Sequence, residues 1–245
     1  MEKAEVALVT GAAGPMGFAV VKAFIEDGLK VVMVDVKAEA LQELKGALGA
    51  PVYPYTFDIS DPAAVKSSMQ RIEKEVGAID ILVNNAGILS NNKAAQTTAE
   101  EWNRVMAVNV NGAFYLSQAV LPNMRRKKWG RIINTASYAA KSGGLTAGTA
   151  YSTSKAALIG LTFSLAAETT REGITVNGIA PAYIRTPMVT EQLTAAQRET
   201  LLEKIPVGRF CEPEEFAHVV RFLASPLSGF ITGEIIDQNG GFHFD

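Results

Sequence analysis

One cysteine and two histidines are all that this 245-residue chain offers toward disulfides or soft metal ligands. Cys211 has no second cysteine to pair with, and His218 and His243 are too far apart in sequence to suggest a metal cluster. The expectation is therefore no disulfide framework and no metal. Charge of one sign is missing too, because 23 Lys and Arg stand against 25 Asp and Glu, for a formal net charge of −2. Such scattered, balanced charge argues against nucleic acid or an anionic membrane as the main partner. The one basic run, Arg125-Arg126-Lys127-Lys128, follows a helical pattern and precedes Trp129-Gly130. It reads as a solvated helix C-terminus, where the dipole favours cations, rather than as a nucleic-acid patch. Charges interrupt every apolar stretch before it can span a bilayer, and Met1-Glu2-Lys3-Ala4-Glu5 does not read as a leader. These absences together read as a cytoplasmic protein.

What is present suits one large α/β domain covering residues 1–245, since 48% hydrophobic content is enough for a substantial core. Strand-like runs alternate with helical ones: Val52 to Phe57, Pro62 to Val76, Ile79 to Val83, Ala99 to Met124 and Arg131 to Thr135. A helix from Tyr151 to Arg171 follows, then Thr175 to Ile179, a polar helix-forming stretch from Val189 to Lys204, a helix from Pro213 to Ala224, and a last strand near Ile235-Ile236. Alternation with short connections predicts a doubly wound parallel sheet with helices on both faces and ligands at the carboxyl ends of the strands.

The first such unit is the most specific. Val6-Ala7-Leu8-Val9 reads as a buried strand running into Thr10-Gly11-Ala12-Ala13-Gly14-Pro15-Met16-Gly17. A helical pattern from Phe18 to Asp27 stops at Gly28, and a second strand, Val31-Val32-Met33-Val34, ends at Asp35. A glycine turn leading into a helix exposes backbone N–H groups where the dipole can hold a pyrophosphate. A carboxylate about twenty residues on can accept hydrogen bonds from both ribose hydroxyls and repels a 2′-phosphate, which favours NAD over NADP. No basic residue precedes Pro15 in the loop, and Lys37 is the one nearby counter-argument.

Tyr151-Ser152-Thr153-Ser154-Lys155 places a phenol and an ammonium on one helical face. A fixed cation favours the phenolate, so the tyrosine becomes a better acid or base near neutral pH. Such pairs also occur on ordinary helix surfaces, and the pair gains meaning only from its surroundings. Asp58, Asn85, Ser137 and Pro181 each follow a predicted strand and would collect on one rim of the sheet. Asp61 before Pro62 is the better helix cap, which leaves Asp58 free, whereas Asn84 and Asn85 are equally well explained as turn formers.

Several separated motifs resemble those of the short-chain dehydrogenase/reductase family, over nearly the whole chain. Thr10-Gly11 through Pro15 and Gly17 resembles its cofactor loop, Asn84-Asn85-Ala86-Gly87 its post-strand motif, and Pro181 to Thr186 its nicotinamide-side loop. Asn109, Ser137, Tyr151 and Lys155 fall where its catalytic tetrad is expected. Three departures stand out. Pro15 replaces the middle glycine, Ala182 replaces the glycine after the loop proline, and Ser137 to Tyr151 is one residue longer than the commonest spacing. Pro15 suits a first helical position, which leaves Gly14 to supply the loop's flexibility.

The resemblance implies a Rossmann-type fold and roles for each position. Gly11, Gly14, Pro15, Met16 and Gly17 would cradle NAD, with Asp35 on its ribose and Asp58 and the Ile59 backbone at its adenine. Asn85, Ala86 and Gly87 would lie beside a ribose, and Ile184 and Thr186 at the carboxamide. Tyr151 would carry the proton, and Lys155 would hold the ribose and lower the tyrosine pKa. Ser137 would bond the substrate oxygen, and Asn109 would support a proton path through water. Ser137, Tyr138, Tyr151 and Tyr183 would meet the substrate, with Lys141, Gly143 to Thr146, Arg185 and Met188 lining or covering the site. Residues 182–205 read as a possible lid. The implied activity is hydride transfer between NAD and a small-molecule secondary alcohol or ketone, by a homo-oligomer, either a tetramer or a dimer. Two alternatives stand beside it: a 3-oxoacyl thioester reductase, which normally wants NADP, and a non-catalytic dinucleotide sensor on the same fold.

Overall fold

The computed structural model describes residues 6–49, 51–187, 191 and 194–244. The apolar runs form seven strands: β1 (Val6–Thr10), β2 (Lys30–Asp35), β3 (Val52–Thr56), β4 (Ile81–Asn84), β5 (Gly130–Thr135), β6 (Ile174–Pro181) and β7 (Ile235–Gln238). They join one sheet in the order β3-β2-β1-β4-β5-β6-β7, and every pairing is parallel. The intervening helices are α1 (Pro15–Glu26), α2 (Ala38–Leu48), α3 (Pro62–Glu75), α4 (Ala99–Met106), α5 (Gly112–Lys127), α6 (Ala139–Ser142), α7 (Thr149–Thr169), α8 (Ala195–Lys204) and α9 (Pro213–Ala224).

Helices cover both faces, which is why the central strands are apolar at nearly every position rather than at alternate ones. Successive residues of one strand feed opposite layers. Ala7, Val9, Val31, Met33 and Val83 pack with Phe24 of α1 and with Phe216 and Val220 of α9. Val6, Leu8, Val32, Val34 and Leu82 pack with Ile72 of α3 and with Leu116, Val120 and Met124 of α5. Burial of a side chain such as Phe24 or Phe216 contributes about 2–3 kcal/mol. Helix propensities differ by less than about 1 kcal/mol per ordinary residue, so packing on the sheet dominates.

Local chemistry sets the helix ends. Asp61 accepts from the N–H groups of Ala63 and Ala64, as its place before Pro62 predicts. Gly28 leaves α1 at φ +80°, and Arg125, Arg126 and Lys127 occupy the last turn of α5. Arg125 pairs there with Glu168 and Glu172, and Lys127 with Asp80.

The structure corrects the helix predicted over Ala99 to Met124. It is broken at Ala107–Asn111 by a π turn in which Gly112 N–H bonds Ala107 O. Such widened turns are frequent at functional sites, and this one carries Asn109. The proposed lid is only partly visible, since 188–190 and 192–193 lie outside the described residues, and Met188 with them. Its later part is α8, capped by reciprocal bonds between Thr194 and Gln197. Among the described residues no helix is long and apolar enough to cross a membrane.

The strand order turns around between β1 and β4. The chain first builds outward to β3, then returns to place β4 against the other side of β1. The crevice beyond the carboxyl ends of these two strands is where a sheet of this kind takes its ligand.

Candidate active site

The nucleotide side is made of closely approaching main chain. Gly11 has φ +64°, and a Cβ on it would lie 3.0 Å from both Ala86 Cα and Asn85 Nδ2. A Cβ on Gly17 would lie 2.2 Å from Gly11 O, so only glycine lets α1 begin this close to its own loop. Gly14 is the N-cap, and no side chain caps the helix. The first-turn amides therefore face the crevice without a protein side-chain partner, which fits a pyrophosphate. Asp35 accepts from Ala13 N–H at 3.1 Å and Lys37 N–H at 3.1 Å. These bonds hold the carboxylate against the glycine loop at the end of β2.

Thr10 joins this loop to β4. Its hydroxyl donates to Val83 O and accepts from the N–H groups of Asn85 and Ala86, each at 2.9 Å. Asn85 Nδ2 returns a bond to Thr10 O at 3.0 Å. Met16, Asn85, Gly87, Lys155, Ile184 and Thr186 then border one cavity of about 120 Å³. Helix α1, the loops after β4 and β6, and α7 thus converge on that cavity.

Ser137 and Tyr151 stand at its boundary with a second, larger cleft of about 380 Å³, because both residues line both spaces. The Ser137 hydroxyl accepts from Ala139 N–H at 3.1 Å. Burial pushes the Tyr151 phenol above its ordinary value, and the Ser137 side chain opposes that shift. Lys155 is buried, donates to Thr135 O at 2.6 Å, and holds Nζ 5.7 Å from the Tyr151 ring centroid. Its own pKa falls to about 8 through burial. The expected effect of the lysine on the phenol is thus not the dominant one here. Desolvation outweighs the attraction that two groups on one helix suggest.

Asn109 is buried, and its amide clamps main chain. Oδ1 accepts from Ile88 N–H at 2.8 Å, while Nδ2 donates to Ile88 O and to Ser154 Oγ, each at 3.0 Å. Ser154 Oγ donates to Tyr151 O at 2.7 Å, so the helix bearing the tyrosine is tied through one asparagine to the loop after β4. Gly87 leaves room for this junction, since a Cβ there would lie 3.2 Å from Asn109 Oδ1 and 3.4 Å from Lys155 Nζ.

The larger cleft is bordered by Tyr138, Tyr183, Leu89, Leu145 and Thr146. Tyr138 packs edge-on against Phe242 at 5.1 Å between ring centroids, and Tyr183 packs against the same ring at 6.0 Å. The C-terminal segment therefore backs both cleft tyrosines.

A family model described as enoyl-(acyl carrier protein) reductase matches residues 11–243. The chain is 40% identical over 240 residues to a 3-oxoacyl-(acyl-carrier-protein) reductase of Thermotoga maritima, covering 97% of each. It is 39% identical to the reductase so named in Escherichia coli strain K12, over 98% of this chain and 97% of that one. Nodulation protein G of Azospirillum brasilense is 38% identical over 98% of both chains. The chain belongs to the short-chain dehydrogenase/reductase family. As a member it is an oxidoreductase that works with a nicotinamide dinucleotide.

Of the residues singled out from sequence in this family member, Met16, Asn85, Gly87, Ser137, Tyr151, Lys155, Ile184 and Thr186 border the cavities, while others are placed differently. Gly14 has φ −84°, an ordinary value, so it supplies no special flexibility; Gly11 and Gly17 carry the close approach instead. Pro15 does occupy the start of α1. Asn84 is neither a turn nor a rim residue: buried in β4, it donates to Asn134 Oδ1 at 2.9 Å. Ile59 buries its side chain in the core, leaving its main chain for any ligand, while the Asp58 carboxylate accepts from the N–H and hydroxyl of Ser60. Lys141 does not border the cleft but pairs with Asp237 at 2.5 Å, and Arg185 pairs with Glu212 at 2.8 Å. Sequence reading passed over Thr10, Ser154, Leu89 and Phe242. The first two sat inside quoted motifs. Nothing local marks Phe242, whose ring partners Tyr138 and Tyr183 are remote in sequence.

Proposed function

We propose that this protein exchanges hydride between NAD(H) and a 3-oxoacyl thioester or its 3-hydroxyacyl partner. The observation that carries the reading is the place of Ser137 and Tyr151 on the wall common to two cavities. A carbonyl in the larger cleft can meet both hydroxyls, with the smaller cavity on its other side. The Thermotoga maritima and Escherichia coli relatives, matched over 97% of their own length, are named 3-oxoacyl-(acyl-carrier-protein) reductases, which supports that substrate class over an unspecified ketone. The family model's description names an enoyl group; whole-length likeness to individual proteins is the finer guide.

The glycine loop, Asp35, Lys155 and Thr186 are the groups that would hold the nicotinamide dinucleotide, which when bound supplies or accepts the hydride. The protein's part is the proton. Raised by burial, Tyr151 remains a neutral phenol at neutral pH and can donate to the oxygen of a carbonyl undergoing reduction. Ser137 donates a hydrogen bond to the same oxygen as charge develops there. Lys155 places a positive charge beneath the ring, and Asn109 keeps the Ile88 loop and the Tyr151 helix in register. A sensor without chemistry would have no use for this set, which is why we set that alternative last.

Asp35 supports NAD rather than NADP, because a carboxylate at the end of β2 can accept from ribose hydroxyls and would repel a 2′-phosphate. The same residue favours a second reading, oxidation or reduction of a free secondary alcohol or ketone, since the resemblance pairs thioester reduction with NADP. The test follows oxidation of NADH and NADPH separately, with acyl thioesters and with simple ketones as substrates. Faster turnover of thioesters with NADH supports the proposal. Turnover confined to simple ketones would replace it with the second reading, and a preference for NADPH would refute the role of Asp35. Asp35→Ala is expected to erode the NAD preference by about tenfold.

A further inference from the structure

Two segments that are distant in sequence form one wall of the larger cleft. Residues 88–98, after β4, contribute Leu89 and Asn91; residues 143–148, before α7, contribute Leu145 and Thr146. Main chain joins them at one end, where Gly148 N–H donates to Ser90 O at 2.7 Å and Thr149 N–H to Asn92 O at 3.0 Å. A Cβ on Gly148 would lie 2.5 Å from Asn92 O, so glycine is needed for that approach.

At the other end a side chain, Lys93, bridges the two segments. Lys93 Nζ donates to Gly144 O and to Ala147 O, each at 2.7 Å. The chain between those two acceptors consists of Leu145 and Thr146, the cleft residues themselves. Leu145 is 62% exposed and has little packing of its own to hold it. Gly143 and Gly144 precede it with φ +73° and +78°, a pair with wide backbone freedom. An ammonium close to the N-terminus of α7 is opposed by the helix dipole. Two charge-assisted hydrogen bonds overcome that opposition and hold the cation at the loop.

We propose that Lys93 is a positioning residue: by bridging the carbonyls of Gly144 and Ala147 it fixes the Leu145–Thr146 wall of the cleft and so sets affinity for the carbonyl substrate. It does not touch the reacting atoms, and it does not contact the cavity assigned to the nicotinamide. The proposal rests on reading the larger cleft as the substrate site, whereas the fixing of the wall is independent of that reading.

The test compares Lys93→Met and Lys93→Arg with the unaltered protein in two measurements. Hydrogen exchange of the amides from 144 to 149 reads the wall with no substrate present. Steady-state kinetics on whichever thioester or ketone turns over reads its consequence. For Lys93→Met the expected results are faster exchange confined to these amides and a KM for the carbonyl substrate raised about tenfold. A kcat within about threefold of the unaltered value and an unchanged KM for the dinucleotide complete the expectation. Lys93→Arg, able to donate to both carbonyls, should recover most of the loss. Unchanged exchange would overturn the clamp, and so would a fall in kcat at constant KM or equal damage to dinucleotide binding. Failure of the unaltered protein to turn over any thioester or ketone would sink the functional reading alone, because the exchange measurement still decides whether Lys93 fixes the wall.

Discussion

On the β1–β2 side of the crevice a ligand would meet main chain, and on the β5–β7 side it would meet side chains. The first surface is built from Gly11, Gly17 and Gly87, from uncapped amides of α1, and from the Thr10 hydroxyl that knits β1 to β4. The second is built from Tyr138, Tyr151 and Tyr183, from Leu145, and from the Phe242 ring behind two of the tyrosines. A cofactor shared by a whole family can be held by a surface with no side chains to vary. A substrate that differs between relatives needs a surface that varies, and loops with long-range packing provide it.

The contrast is tested hardest at the boundary between the two surfaces. Tyr151→Phe keeps the ring and deletes the proton, so turnover should fall about a thousandfold while dinucleotide affinity, read by titration, stays near the original. In the unaltered protein, substrate oxidation should quicken as pH rises into the alkaline range and reduction should slow, because a phenol raised by burial must first ionise to act as a base. A flat pH profile in both directions would assign the proton to another group.

Gly17→Ala tests whether the main-chain surface tolerates a side chain. With a backbone oxygen 2.2 Å from the new Cβ, either the loop or α1 must move, at a cost of about 3 kcal/mol. Dinucleotide affinity should fall by about a hundredfold, visible in a titration monitored by fluorescence.

Lys155→Met should separate stability from function. The unfolded chain holds this lysine at its ordinary value of 10.5, while the fold lowers it to about 8. As pH falls from 10.5 to 8 the folded state resists the proton that the unfolded chain takes up. Below 8 the full cost of the buried ammonium is present, on the order of 3 kcal/mol. Removing it at neutral pH, with loss of the bond to Thr135 O, should stabilise the dinucleotide-free protein by about 1–2 kcal/mol and abolish turnover. Thermal melts across pH would show the gain shrinking as pH rises toward 10.5; a loss of stability at neutral pH would contradict the burial argument.

Phe242→Ala is the mildest change, because the ring is partly buried and lies behind the cleft rather than in it. A KM for substrate raised about threefold, with the dinucleotide untouched, is the expected result. An effect on dinucleotide binding instead would blur the division between the two surfaces.

Much of the nucleotide side was legible because its determinants are local. Strand, glycine loop, helix, strand and Asp35 follow one another within thirty-five residues, and each has a conformational reason to be there. The alternation of runs that are apolar on both faces specified a parallel sheet for the same reason. The sequence also placed Tyr151 four residues before Lys155, hence on one face of α7. It showed no sign that burial would dominate the phenol, since desolvation depends on everything packed around a group.

The π turn at Asn109 lay within a stretch that reads as unbroken helix, and only the bonds to Ile88 and Ser154 reveal what it does. The order of elements, the cofactor loop and the spacing of the reactive pair were determined by the chain alone, because propensity, turn chemistry and hydrophobic period act over a few residues. The shared wall at Ser137 and Tyr151, the pairing of Lys141 with Asp237 and the bridge from Lys93 were decided in three dimensions. Each depends on contacts between segments that no short-range pattern brings together, the last two from residues more than fifty positions apart.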